Sequence, residues 1–125
     1  EVNNLDIDDE FSLVKFNQYK KDYMTEIIEA VENENLILND DVLQKLSIIA
    51  DKALLLASTN VVDDIKIFCR DLSNFSSNLK ISTLIIFAKH LNDAIQKFDI
   101  DKIERLLKKL PDLVIMLSKH SGSFS

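Results

Sequence analysis

The chain has 125 residues, 46% of them apolar, a net charge of −6, and only one glycine, one proline and one cysteine. This length fits a single domain that buries a core without disulfides or metals. The acidic balance argues against nucleic acid as a partner and against adsorption to anionic membranes. The scarcity of glycine argues against β-hairpins, whose turns need it, and leaves an all-α fold. No apolar run approaches a membrane span and no signal-peptide pattern is present. The single cysteine, Cys69, excludes an intrachain disulfide and suits a reducing compartment, so a cytoplasmic location is expected. Because the first residue is Glu1 rather than Met, the chain reads as a piece of a longer protein.

Five helices are expected, over residues 8–33, 40–57, 60–79, 82–98 and 100–118, joined by short links into one antiparallel four-helix bundle with an additional helix. An acidic lead, Glu1 to Ile7, comes first, with Leu5 and Ile7 expected to tuck against the bundle. Asp8 or Asp9 caps the first helix, whose stripe is Phe16, Tyr23, Met24, Ile27, Ile28 and Val31. Leu36-Ile37-Leu38 then crosses the bundle end. Asn39 or Asp40 caps the second helix, with Val42, Leu46, Ile49, Ala50, Ala53 and Leu56 inward. Leu43, Ile48, Leu54 and Leu55 widen its apolar arc, the mark of a central helix with neighbours on several sides.

Thr59 or Asn60 caps the third helix. Its buried stripe is Ile65, Cys69, Leu72, Ser76 and Leu79, and its opposite side is Asp63, Ile67, Arg70, Asn74 and Ser77. That side carries short polar residues around one cation, which lets another protein come close. Ser82 caps the fourth helix, with Leu84, Phe87, Ala88, Leu91, Ala94, Ile95 and Phe98 inward. Asp99 caps the fifth, with Ile103, Leu106, Leu107, Leu110, Val114 and Leu117 inward and a kink expected at Pro111. A frayed tail runs from Lys119 to Ser125.

Chemistry-bearing motifs are sparse. His90 lies about 100° off its helix's apolar stripe and reads as an edge histidine, and His120 falls in the tail. No Cys-x-x-Cys, His-x-x-x-His or Gly-rich phosphate loop occurs, so neither metal nor cofactor is expected. The pairs Asp8-Asp9, Asp40-Asp41 and Asp63-Asp64 sit at helix starts, where they serve as caps and dipole partners. Lys102, Arg105, Lys108 and Lys109 read as a solvated face, with docking of an acidic partner as the other option.

The run Phe68-Cys69-Arg70-Asp71-Leu72-Ser73-Asn74-Phe75-Ser76-Ser77-Asn78-Leu79, with Leu84 to Ala94 after it, resembles the histidine-phosphotransfer (HPt) domain family. In that family an apolar pair precedes the phosphoacceptor His. A Leu follows two residues later, then Lys-Gly, small residues and an Asn-apolar-Gly turn, and the next helix carries Ala-x-x-Leu-Glu and ends near a Gly-Asp link. Leu72, Ser76, Ser77, Asn78-Leu79 and Ala88-Lys89-His90-Leu91-Asn92 fit this pattern, and Phe98-Asp99 stands at the Gly-Asp link. The resemblance runs from about Asp41 to Leu117.

Four positions depart from it. Arg70 stands at the phosphoacceptor, Ser73 at the Lys, Asn74 at the first Gly and Lys80 at the turn Gly. A guanidinium stays protonated and cannot attack an aspartyl phosphate as a neutral imidazole does. The resemblance therefore implies a non-enzymatic, HPt-like interaction module of bacterial two-component or phosphorelay signalling. It would bind a receiver domain, or another protein of a histidine-kinase pathway, through Ile67, Arg70, Ser73, Asn74 and Ser77. Other readings are a bundle that has lost its partner, an active phosphotransfer protein using His90, and a structural bundle dimerising through Ile85 and Ile86.

Overall fold

The computed structural model describes residues 22–35 and 37–120. The Asp8-Asp9 cap, Leu5, Ile7, Phe16, Leu36 and the tail beyond His120 lie outside the described residues. Among the described residues the secondary structure is entirely helical: α1 (Tyr23–Glu32), α2 (Asp40–Thr59), α3 (Val62–Leu79), α4 (Ser82–Gln96) and α5 (Ile100–His120). Asp22, at ψ 144°, stands outside α1, so the helix expected over 8–33 is described only from Tyr23.

α2 packs along α5 and α3 along α4, while α4 also meets α5 and α1 lies against both α4 and α5. Leu43 and Ser47 near the start of α2 lie beside Ser118 and Lys119 at the end of α5, so these two helices run antiparallel. The apolar stripes converge on one core. Leu46, Ala53, Ile65, Phe68, Leu72, Leu84, Phe87, Leu91, Leu106, Leu107, Leu110 and Leu117 all belong to it, with Ile27 and Val31 of α1. Leu113 joins them although its position was not counted inward.

Several expectations need correction. Among the described residues α2 is not enclosed: it barely meets α3, and Ile48 and Leu55 are 64% and 62% exposed, with Leu54 also on the surface. Leu79 and Phe98 are exposed rather than inward. Ile86 packs against the core, which leaves Ile85 alone of that pair on the surface. α5 continues through Pro111 to His120, whose Nε2 donates to the Glu34 carbonyl at 2.9 Å, so His120 belongs to the bundle rather than to a frayed tail. The basic stretch is not fully solvated. Lys102 lies over the Tyr23 ring, 4.6 Å from its centroid, and reaches Asp93 at 3.6 Å, while Arg105 donates to the Tyr23 hydroxyl.

The helix ends divide into local and tertiary solutions. Asn39 Oδ1 accepts from the Val42 amide at 2.8 Å and Asp99 Oδ1 from the Lys102 amide at 3.2 Å, as a sequence-local cap does. Neither Thr59 nor Asn60 caps α3. Asn60 instead ends α2 in the left-handed region at φ 57°, and Val61 precedes α3 with no side-chain cap. Ser82 does not cap α4 either. Glu34, buried in the link after α1, supplies that cap from another part of the chain: its carboxylate accepts from the Ser82 and Thr83 amides at 3.1 and 2.9 Å and from the Thr83 hydroxyl at 2.7 Å. The pairs Asp40-Asp41 and Asp63-Asp64 occupy first helical turns, where their charge faces the positive end of the dipole.

α3 closes with Lys80 at φ 58°, its amide and that of Ile81 returning to the last-turn carbonyls of Ser76 and Ser77. The link between α4 and α5 contains Phe98 at φ 54°. Left-handed backbone at non-glycine residues is uncommon, because Cβ crowds the neighbouring carbonyl.

Candidate partner-binding surface

α3 presents two different flanks because its buried stripe is narrow. Ile65, Phe68, Cys69, Leu72 and Ser76 face the core. Ser76 is tolerated there because its hydroxyl returns to the Leu72 carbonyl at 2.8 Å. Lys66, Arg70 and Ser73, spaced four and three apart, then fall along the flank next to α4. Ile85, Lys89 and Asn92 of α4 have the same spacing and line the other side.

Between them runs an open groove of about 400 Å³, into which Asn74 also projects and whose floor is Cys69 and Ala88. Three of the five expected residues, Arg70, Ser73 and Asn74, thus meet in one groove. Ile67 and Ser77 are exposed on α3 but do not line it. Lys66, Lys89, Asn92 and Ile85 were missed as site residues. Their signal is the matched four-and-three spacing on two consecutive helices, which becomes a groove only once α3 and α4 are paired.

The groove is basic on an acidic protein. Arg70 is 70% exposed, its guanidinium 3.6 Å from the Asp71 carboxylate, a solvent-screened pair of little net worth. With Lys66 and Lys89 it sets three cations around neutral donors from Ser73, Asn74 and Asn92. Such an arrangement can hold a carboxylate or a phosphoryl group. It contains no nucleophile of neutral imidazole type. Among the described residues no group of three or more His, Cys, Asp or Glu side chains is placed to hold a metal ion.

The floor is chemically quiet. Cys69 Sγ donates to the Ala88 carbonyl at 3.4 Å, and burial pushes its thiol from 9.0 up to about 11. Because the native thiol keeps its proton where the unfolded one has lost it, stability falls as pH rises from 9 towards 11, by about 2 kcal/mol over that interval. Urea denaturation at pH 8 and pH 11 is expected to show this loss, and Cys69→Ala to remove its share of it.

His90 sits away from this groove. It is half-buried on the α1 side of α4, where its Nε2 donates to Glu26 Oε1 at 2.8 Å and its ring lies 5.8 Å from that of Tyr23. No helix among the described residues is long and apolar enough to cross a membrane. Comparison with family models, curated proteins and solved structures finds no match to this chain.

Proposed function

We propose that the chain is a non-phosphorylatable, HPt-like docking module of bacterial two-component signalling, cytoplasmic and without catalytic activity. Its α3 and the adjoining groove bind a receiver domain or a related protein of a histidine-kinase pathway. The observation that carries this reading is Arg70, exposed on α3 in a groove that Lys66 and Lys89 also line, at the position that the resemblance aligns with the phosphoacceptor. An acidic pocket on the partner would find three cations there, and the polar rim of Ser73 and Asn74 allows close approach.

Two backbone features are compatible with the register of the resemblance, although Asn60 after α2 adopts the same left-handed conformation. Lys80 and Phe98 stand where the family favours glycine, and both adopt positive φ. A backbone that needs left-handed residues at those two places is what a glycine preference there reflects. The His90 alternative gains nothing comparable, since Glu26 already holds its Nε2. A dimer through the Ile85-Ile86 pair has only Ile85 to offer on the surface.

Titration calorimetry against a panel of receiver domains, phosphorylated and unphosphorylated, tests the reading. Arg70→Glu is expected to weaken binding by at least about thirtyfold, the scale of losing a central charged contact. Lys108→Glu, on the outer face of α5, should leave binding intact. Equal affinity of the wild type and Arg70→Glu, or no binding to any receiver, would overturn it.

A further inference from the structure

The basic groove between α3 and α4 is set apart by its lack of counter-charge. Helical spacing offers it acids, Asp63 three residues before Lys66 and Asp93 four residues after Lys89. Neither pair forms. Asp93 Oδ2 is held instead by Lys97 and Lys102, at 3.4 and 3.6 Å. Among the described residues Lys66 and Lys89 make no ion pair. The Asp71 carboxylate beside Arg70 belongs to the other flank of α3, where Asp71 lines the groove towards α2. The side chains of Ser73, Asn74 and Asn92 likewise bond no other described residue. Three cations and three neutral donors thus line one groove with no acid among its lining residues.

We infer that this groove seats a phosphoryl group, so that the module selects the phosphorylated form of its receiver partner. The inference rests on the docking reading and adds the partner state that the site favours. Charge decides between the two oxyanions the groove can hold. A carboxylate brings one negative charge and offsets one of the three cations. A phosphoryl group brings close to two charges and three acceptor oxygens, which Arg70 and both lysines can share. Ser73, Asn74 and Asn92 are donors for the same oxygens. Ile85, exposed on the rim, gives an apolar contact to the protein that carries the group. Nucleic acid also brings phosphates, but as an extended array of charge, which the net charge of −6 repels.

A receiver domain that binds in the calorimetric panel, unphosphorylated and charged with acetyl phosphate, tests the inference. The wild type is expected to bind the phosphorylated form at least about tenfold more tightly, the scale of one added charge among three exposed cations. The double variant Lys66→Gln, Lys89→Gln should lose most of that preference, with circular dichroism showing the helices retained. Equal affinity of the wild type for the two forms, or an unchanged preference in the double variant, overturns the inference and leaves the docking reading standing. Absence of binding to every receiver overturns the docking reading instead, and the chain alone then decides on the seat. Inorganic phosphate, compared with acetate at equal ionic strength, should slow reductive methylation of Lys66 and Lys89 several-fold and leave Lys108 unchanged. Equal rates in phosphate and acetate overturn the inference whatever the receivers do.

Discussion

Glu34→Ala is expected to lower the stability of the bundle by about 3 kcal/mol, because it deletes a charged acceptor that serves three donors at once. The Ser82 and Thr83 amides open α4 and have no intrahelical partner. The Thr83 hydroxyl is fully buried and bonds the same carboxylate at 2.7 Å. Alanine leaves all three unpaired, and water reaches Thr83 poorly. Removing the carboxylate also removes a negative charge from the positive end of the helix dipole. The midpoint of thermal unfolding should fall by more than about 10 °C for a domain of this size. In a Thr83→Val background the same substitution should cost less, since one of the stranded donors is gone. A loss below about 1 kcal/mol would mean that solvent caps these amides as well as Glu34 does.

Phe87→Ala should cost about 3–5 kcal/mol, the range for emptying a fully buried aromatic site. Phe87 has no exposed surface and sits on α4, the helix that meets α1, α3 and α5. No single element can relax into the cavity without leaving another. Total stabilities of small domains are about 5–15 kcal/mol, so this change alone brings the protein near its unfolding threshold. Phe87→Leu keeps most of the volume and should cost under about 1.5 kcal/mol. Urea midpoints for the two variants check both values, and equal midpoints would show that the α4 contact layer adapts to the lost ring.

Much of the bundle was legible because α4 and α5 obey one rule. Leu84, Phe87, Leu91 and Ala94, and Leu106, Leu110 and Leu117, follow helical spacing, and every one of them is buried. The same rule failed on α2. Periodicity reports that Ile48 and Leu55 are apolar, but not that a helix stands opposite them, and none among the described residues does. Caps divide in the same way. Asn39 and Asp99 act on amides three residues ahead, within reach of local pattern. The cap of α4 comes from Glu34, 48 residues before Ser82, and no local window contains both. The candidate site was half visible for a related reason. Arg70, Ser73 and Asn74 share one helix and could be read from its turn. Lys89 and Asn92 join them only through the pairing of α3 with α4.

The pairing of α2 with α5 bears on how the chain is made. Consecutive helices usually find each other first, because short loops close at little entropic cost. Here α2 has only a marginal contact with α3, its successor, and its main partner is the last helix of the bundle. A ribosome releases α2 well before α5 exists, while α3 and α4 can zip together as they emerge. For that interval α2 waits with Leu46 and Leu56 unsatisfied, and these are buried only in the complete bundle. A chain truncated within α5 would therefore keep the α3–α4 hairpin and lose the main partner of its second helix.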